Sequence, residues 1–353
     1  REVSTGLNHR VGVLSDFPRQ LQARTGSIGE TLIVVDPWVT SGCAELTAVG
    51  VPTPTYLVDR VLETAGRLGI DDGLGLLSQR GQLLGLGRSG RASCGGAARL
   101  HTTVDGEIAL SLARPSDHDL LPAWRALAGP DASAAALAGA AAELGLPCGA
   151  VGEVTDRRSA IVTPTGDGPP RPLAGARVIN LGSLWAGPLA AHLLARLGAD
   201  VITVESRTRP DGARATPAFF DAMRVGVRGV QLDLARDLPE LLATADVVIE
   251  ASRPRALDQL GIERDAQVWV SITAYGFAEP HARRVGFGDD AAAAGGLVGR
   301  TSDGTTVFLA DAIADPLTGL EAAATVADLL AKGGRHHVDL ALARVAAAHT
   351  DPD

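Results

Sequence analysis

Apolar and polar residues follow two different patterns in the second half of the chain, one typical of strands and one typical of helices. Short apolar runs, typical of buried strands, lie at 176–181, 200–205, 230–234, 246–250 and 268–272. Leucines with helical spacing at 188–197 and a long apolar-rich segment at 317–330 predict helices. Buried strands that alternate with helices are typical of a parallel sheet with helices on both faces.

The first half of the chain carries a weaker pattern. Two alternating stretches at 98–103 and 106–113 predict a β-hairpin, because the Asp105-Gly106 pair between them favours a tight turn. Three further elements are predicted, namely a strand-like run at 28–35, a helix at 57–68 and an alanine-rich helix at 132–144.

The segment 163–172 is rich in Pro, Gly and Thr and predicts a linker between domains. We therefore divide the chain into an N-terminal segment of uncertain role (1–87), a small α+β domain (88–162), the linker, and a Rossmann-like domain (173–345). The predicted fold class is α/β, with a doubly wound Rossmann-like parallel sheet domain plus a smaller α+β domain.

Charge and cysteine content disfavour several classes of protein. The net charge is −9 and no run of Lys or Arg forms a basic stripe, which disfavours nucleic-acid binding. Cys43, Cys94 and Cys148 show no paired spacing, so we expect neither a disulfide framework nor a metal site. No long apolar segment predicts a membrane span, and the cytoplasm is the expected location.

The region from 176 to Glu205 reads as strand, turn, helix, strand and acidic residue, as in a dinucleotide site. Its glycines, Gly182 and Gly187, are five residues apart, and Trp185 stands where a pyrophosphate needs close backbone approach. The dinucleotide fingerprint is therefore absent. The turn reads equally as a tight strand-to-helix connection, whose free helix N–H groups still allow ligand contact.

The most specific feature of the region from 171 to 345 is a set of six short sequence motifs, here called phrases, that occur in a fixed order. They lie at 171–205, 245–261, 270–276, 285–297, 313–320 and 337–342. In this order they are similar to the phrases of the class III CoA-transferases, the CaiB/BaiF family. The segment 88–153, with a Ser-Cys-Gly-Gly turn, resembles more weakly the small domain that follows these phrases in the family. The resemblance thus implies a rearranged domain order.

The resemblance implies transfer of coenzyme A between carboxylic acids through an aspartyl mixed anhydride and an aspartyl-CoA thioester. Asp315 matches the family nucleophile, and Gly95 and Gly96 match a glycine loop whose N–H groups could stabilise an oxyanion. With an ordinary pKa of ~3.9, Asp315 would be ionised at neutral pH without a helper base. The implied partners are an acyl-CoA, a carboxylic acid and a second copy of the chain in a homodimer, without metal.

A candidate coenzyme A site follows from the same comparison. Resemblance points to Leu184, Trp185, Ala186, Ala251 and Ser252. Charge makes Arg207, Arg209, Arg253 and Arg255 reasonable partners for its phosphates. The chain departs from the family pattern at Ala251, Gln259 and Gly288.

Several alternatives stay open at this level. Asp315 before Pro316 also fits an ordinary helix N-cap, and Asp311 is a competing nucleophile. A racemase-like member would need a histidine where this chain has Phe287, and His281 lies six residues away. A non-catalytic CoA-binding member is the third alternative, and an NAD oxidoreductase lacks its glycine fingerprint.

Overall fold

A seven-stranded sheet organises the part of the chain that the computed structural model describes, residues 35–253 and 255–352. The strands are, in chain order, β1 (Ala98–Thr102), β2 (Glu107–Ser111), β3 (Cys148–Ala150), β4 (Ala160–Gly166), β5 (Arg177–Asn180), β6 (Asp200–Ser206), β7 (Arg228–Leu232), β8 (Val247–Glu250), β9 (Val268–Thr273), β10 (Gly299–Arg300), β11 (Thr306–Val307) and β12 (Arg335–Ala341). The helices are α1 (Pro37–Thr40), α2 (Cys43–Leu46), α3 (Thr55–Arg67), α4 (Gly75–Leu84), α5 (Pro115–Ala128), α6 (Ala134–Leu144), α7 (Ala186–Arg196), α8 (Pro217–Ala222), α9 (Leu234–Leu242), α10 (Arg255–Asp258), α11 (Gly288–Ala294), α12 (Ala314–Lys332) and α13 (Leu342–His349).

The large sheet has the strand order β4-β12-β9-β8-β5-β6-β7, and every neighbouring pair is parallel except β4 with β12. Helices cover both faces. Val178 of β5 packs with α7 and α12, whereas the adjacent Ile179 packs on the opposite face with α9, as period-two side chains require. The predicted α/β, doubly wound class is confirmed. All five predicted strands form, with bounds shifted by at most two residues.

The smaller lobe, Ala98–Ala150, consists of β1 to β3 with α5 and α6 and is called the small lobe below. Its hairpin pairs Ala98 with Ser111 and Thr102 with Glu107, which confirms the predicted turn. One face of the hairpin packs against α6, and Leu100 on the other face packs against Phe308 of the main body. The small lobe is thus anchored to the main body through one face of its sheet.

Strand β4 occupies the first four residues of the segment predicted as a linker. Residues 160–166 pair antiparallel with β12 at one edge of the large sheet. Pro164 is compatible with this position because an edge strand need not donate every backbone hydrogen bond. The segment predicted as a linker therefore begins within a strand, and the linker and the domain boundaries stay predictions.

Helices α1 to α4, from the N-terminal segment, share the main hydrophobic core with α7 and α12. Trp38, Leu57 and Leu77 are at most 2% exposed and belong to that core. The strand-like run predicted at 28–35 lies outside the described residues, apart from Val35. Within residues 35–352, no helix is both long and apolar enough to cross a membrane.

Candidate active site

Asp315 is the second residue of α12. The helix begins at Ala314, its N-cap is Ile313, and the Asp315 N–H donates to the carbonyl of Ala312 at 2.9 Å. The N-cap interpretation of Asp315 is therefore wrong, because the first helical turn starts before the Asp-Pro pair. Its carboxylate is thus available for contacts outside the helix.

The turn that leads into α12 is strained. Ala310 and Ala312 have φ values of 46° and 42°, in the left-handed region that a residue with a Cβ rarely adopts. Two hydrogen bonds hold this turn: the Ala310 N–H donates to Thr47 Oγ1 (3.1 Å), and the Ala312 N–H donates to Asp289 Oδ1 (3.0 Å). Such strain is retained at functional sites when the surroundings over-determine it. Here it fixes Asp311 and the first turn of α12.

Asp315 packs against Gly288, a position with no room for a side chain. A Cβ at position 288 would lie 2.2 Å from the Ala312 carbonyl oxygen and 2.6 Å from Asp315 Oδ2. Real Cβ contacts are never this short, so any side chain would displace the strained turn or the carboxylate. The glycine that replaces an acidic residue of the family pattern is therefore required by the packing.

Burial raises the pKa of the Asp315 carboxyl to about 7. Arg80 opposes this increase, the nearby carboxyl groups of Asp289 and Asp311 add to it, and the Gly288 backbone N–H lowers it again. A group with this pKa is about half ionised at neutral pH. This pKa lies above the ordinary value on which the expectation of full ionisation rests, because the carboxylate is desolvated among other acids.

Arg80 of α4 supplies positive charge to this acidic cluster. Its Nε and Nη2 lie 2.9 and 3.0 Å from the two oxygens of Asp311, whose side chain is fully buried. Its guanidinium carbon also lies 5.2 Å from the ring centroid of Trp185, which is within cation–π range. Arg80 thus joins the turn before α12 to the turn between β5 and α7.

The Ser-Cys-Gly-Gly turn, residues 93–96, lies beside the same cluster. A Cβ on Gly95 would be 3.2 Å from Arg80 Nη2. Cys94 Sγ lies 3.1 Å from the Ala310 carbonyl oxygen. The two segments predicted to act together, about 220 residues apart in the sequence, are therefore neighbours in the fold.

Only one of the two glycine N–H groups in this turn is available to a ligand. The Gly96 N–H donates to the Ser93 carbonyl at 2.9 Å and closes the turn, so it is not a free donor in this conformation. The Gly95 N–H donates to no residue of the described ranges, and Gly95 is exposed. Gly96, with φ of 75°, instead provides the left-handed corner.

The turns after β5 and β8 meet at the carboxyl edge of the large sheet. These strands are neighbours, and a Cβ on Gly182 would lie 3.6 Å from Ala251 Cβ. Asn180 supports the first turn, because its Oδ1 accepts from the Gly182 N–H (2.9 Å). The two halves of the candidate coenzyme A site are therefore adjacent, where ligands of open α/β sheets bind.

Helix α12 packs directly on the start of α7. A Cβ on Gly319 would lie 2.9 Å from the Ala186 carbonyl oxygen, so the two helix backbones make a close approach there. Asp315 lies one helical turn before Gly319. The nucleophile candidate is thus held next to the turn that contains Trp185 and Ala186.

These positions can be compared with known proteins. A model of CoA-transferase family III matches residues 173–353. The chain belongs to CoA-transferase family III. The resemblance drawn from the sequence phrases is confirmed.

Several named family members match the chain over part of its length. It is 30% identical over 209 residues to the succinate–glutarate CoA-transferase of Agrobacterium fabrum, over 50% of this chain and 52% of that protein. It is 34% identical to the beta subunit of succinyl-CoA–L-malate CoA-transferase of Chloroflexus aurantiacus, over 42% of each chain. A CaiB/BaiF family protein from Brucella suis aligns with 30% identity and a TM-score of 0.46, over 51% of this chain and 55% of that one. The chain thus spans about half the length of the relatives it matches.

The candidate coenzyme A residues differ from one another in their exposure to solvent. Leu184 and Ala251 are exposed, whereas Trp185 and Ala186 are buried. Trp185 Nε1 is buried without a hydrogen-bond partner among the described residues. Ser252 Oγ already donates to Glu250 Oε2 at 2.9 Å, so a ligand would have to share this hydroxyl.

The candidate phosphate-binding arginines fall into two groups. Arg207 follows β6 and is exposed at the carboxyl edge of the sheet. Arg253 lines a cleft of about 850 Å³ between the small lobe and the main body, together with Arg255, Arg283 and Arg284. The last three pair with Glu279 or Glu153, whereas Arg253 has no side-chain partner among the described residues.

Glu205, which ends the dinucleotide-like pattern, makes its hydrogen bonds to other residues of the protein. Its two oxygens accept from Arg214 at 2.8 and 2.9 Å, and it also accepts from the Asp211 N–H. It is 7% exposed. This acid therefore supports the loop after β6 and is not free to bind a ribose.

Sequence reasoning missed Arg80, Asp289 and the requirement for Gly288. Arg80 lies in the segment to which no role was assigned, and nothing in its local sequence marks it. Asp289 does carry a sequence signal, the Gly-Asp-Asp triplet at 288–290. Their roles depend on contacts between residues that are far apart in the sequence, and a local sequence pattern does not reveal such contacts.

Proposed function

We propose that this chain catalyses transfer of coenzyme A between carboxylic acids, with Asp315 as the nucleophile. One observation carries the proposal: a desolvated carboxylate in the first turn of α12 lies against Gly288, and the turn of Gly95 lies against Arg80, whose charge lowers the pKa of that carboxyl. The names of the family relatives support dicarboxylic acids such as succinate as substrates.

In the first half of the proposed reaction, Asp315 attacks the acyl carbonyl carbon of an acyl-CoA. The C–S bond breaks, CoA leaves as a thiolate, and a mixed anhydride forms. The thiolate then attacks the aspartyl carbonyl carbon and releases the first acid as its carboxylate. The enzyme is left as an aspartyl-CoA thioester, so one difficult exchange becomes two easier steps.

The second half runs in the opposite order. The carboxylate of the incoming acid attacks the aspartyl carbonyl carbon, the thiolate leaves, and a new anhydride forms. Attack of the thiolate on the acyl carbonyl carbon releases the new acyl-CoA and restores the Asp315 carboxylate. No proton donor is needed in any of these steps.

The surroundings of Asp315 suit this chemistry in two ways. Desolvation strengthens the carboxylate as a nucleophile and limits the water that would hydrolyse an anhydride. The Gly95 N–H, which has no described partner, would donate to the oxyanion, and one such donor is worth ~10²–10³ in rate. Gly96 and Ser93 hold the turn that presents it.

Coenzyme A would lie along the carboxyl edge of the large sheet. Leu184, Trp185, Ala186 and Ala251 would contact its nucleotide or pantetheine, and Arg207 and Arg253 would bind phosphate oxygens. The exposed Arg253 is the better candidate of the two, because it opens into a cleft rather than onto an open surface.

Trapping of the acyl-enzyme tests the proposal. The protein is incubated with succinyl-CoA, glutaryl-CoA or acetyl-CoA and then with hydroxylamine, and peptides are examined by mass spectrometry. We expect a hydroxamate at Asp315 in the wild type and none in Asp315→Asn. Asp328→Asn, a matched change at an exposed position of the same helix, should label normally. Wild type without an adduct on any of the three thioesters contradicts the proposal.

The homodimer and the cytoplasmic location stay predictions. Sedimentation equilibrium tests the first, since a homodimer would have twice the mass of the 36.2 kDa chain.

A further inference from the structure

The small lobe contains a cavity of its own, on the face of its sheet away from the main body. Its volume is about 500 Å³, which lies within the range of small-molecule sites. The cavity exists because α6 packs over β2 and β3, whereas the outer face of the edge strand β1 is left uncovered.

The inner wall of this cavity is apolar and rigid. Ile108 and Leu110 form its floor and are at most 5% exposed, and Leu121 and Trp124 of α5 form a side wall. The indole N–H of Trp124 donates to the Leu137 carbonyl at 2.9 Å, which fixes the ring. An occupant therefore meets preformed hydrocarbon surface.

Within residues 35–253 and 255–352, the ionisable groups at the rim of the cavity are all basic. They are Arg99, His101, His118 and Arg125. Among the residues that the structure describes, no Asp or Glu lines the cavity, although the chain as a whole has a net charge of −9. Neither Arg99 nor Arg125 makes an ion pair or a side-chain hydrogen bond with a described residue.

The local field at this rim is positive. Burial lowers the pKa of the His101 imidazole, and Arg91, Arg99 and Arg125 lower it further. Arg91 is itself neutralised by Glu107 at 2.6 Å, so Arg99 and Arg125 are the uncompensated cations. Two unpaired guanidinium groups above a closed apolar floor are complementary to a ligand with an anionic head and an apolar tail.

We propose that the small lobe binds a medium-chain carboxylate in this cavity, with its head on Arg99 and Arg125 and its tail against Ile108, Leu110 and Trp124. The site is independent of the proposed CoA transfer, and its ligand need not be a substrate. Gly96 also lines the cavity, so an occupant touches the turn whose other side faces Arg80. Binding there would consequently stabilise the turn that lies against Arg80.

Calorimetric titration with octanoate, in the absence of any thioester, tests this site. Acetate supplies the head without the tail, and 1-octanol supplies the tail without the head. We expect saturable binding of octanoate to the full chain, with acetate and 1-octanol each binding at least tenfold more weakly. Failure of octanoate to bind the wild type, or equal binding of acetate, overturns the proposal.

Variants locate the bound octanoate. The double change Arg99→Gln with Arg125→Gln should weaken octanoate binding at least tenfold while the melting temperature is retained, since both side chains are exposed. The matched control, Arg67→Gln with Arg236→Gln, removes two other exposed guanidinium groups and should bind as the wild type does.

A third variant separates this site from the proposed active site. Asp315→Asn should bind octanoate with unchanged affinity, whether or not the chain transfers CoA. Loss of octanoate binding in Asp315→Asn, or full binding in the Arg99 and Arg125 double variant, would place the ligand elsewhere and refute the proposal.

Discussion

Gly288 and Asp315 are packed so closely that a Cβ at position 288 would stand 2.6 Å from Asp315 Oδ2. The contact joins the start of α11 to the first turn of α12. It sets both the position of the carboxylate and the tolerance of the site to substitution.

Substitution Gly288→Ala should therefore remove activity. The added methyl group would also lie 2.2 Å from the Ala312 carbonyl oxygen, so the strained turn must shift, at a cost of about 1–3 kcal/mol. We expect a loss of acyl-enzyme formation of at least tenfold and a lower melting temperature. Gly139→Ala, in an open position of α6, is the control and should stabilise the protein by about 0.5–1 kcal/mol. Near-normal activity in Gly288→Ala would contradict the packing argument.

The rate of acyl-enzyme formation should depend on pH through Asp315. Since only the ionised carboxylate attacks, and burial raises its pKa to about 7, the rate should rise with pH and level off above that value. Below the midpoint, the rate should fall about tenfold per pH unit. Single-turnover measurements between pH 5 and 9 check this. A flat profile down to pH 5 would show that the carboxylate has an ordinary pKa.

Stability should show the opposite pH dependence. Burial raises the pKa of Asp289 to about 6 and those of Asp290 and Asp315 to about 7. The folded state then holds protons that the unfolded chain releases above its carboxyl pKa of ~4. Their contribution to stability is thus full below pH ~4 and decreases as pH rises to about 7.

Asp315→Asn should make that decrease smaller, and the variant should exceed the wild type in free energy of unfolding at pH 8. Urea unfolding at pH 5 and pH 8 measures both quantities. Asp328→Asn serves as the control, because that carboxylate is 61% exposed. A pH dependence unchanged in Asp315→Asn would show that this carboxyl is not desolvated.

Arg80→Gln should disturb the acidic cluster in two measurable ways. Loss of the cation leaves the buried Asp311 carboxylate unpaired and should cost about 3–5 kcal/mol at neutral pH. It should also move the midpoint of the rate profile to higher pH, because Arg80 lowers the pKa of Asp315. Unfolding curves and the pH profile of acyl-enzyme formation check the two effects.

The double change Arg80→Gln with Asp311→Asn provides the control for folding. It removes both charges of the pair and should recover most of the lost stability. Because the Asp311 carboxyl itself raises the pKa of Asp315, the double variant should also return the midpoint part of the way towards about 7. A midpoint that stays at about 7 in Arg80→Gln itself would contradict this role.

Periodicity predicted the framework of the large sheet because its strands are buried on both faces and read as short apolar runs. The hairpin of the small lobe was likewise predictable from Asp105-Gly106. The start of α12 was not, because Ala310 and Ala312 adopt left-handed conformations without the Gly or Asn that signals them. The surroundings of Asp315 could not be predicted from local sequence patterns either, because Arg80 binds Asp311 from 231 residues away in the sequence.

The shared core of α1–α4 with α12 has a consequence for dissection of this protein. A fragment that starts at residue 173, where the family match starts, would leave Asp311 without the guanidinium of Arg80. It would also expose to solvent the apolar side of α12 that contacts α3 and α4. Truncation at the homology boundary would thus yield an aggregation-prone polypeptide, and expression of separate pieces should instead respect the continuity from α1 onward.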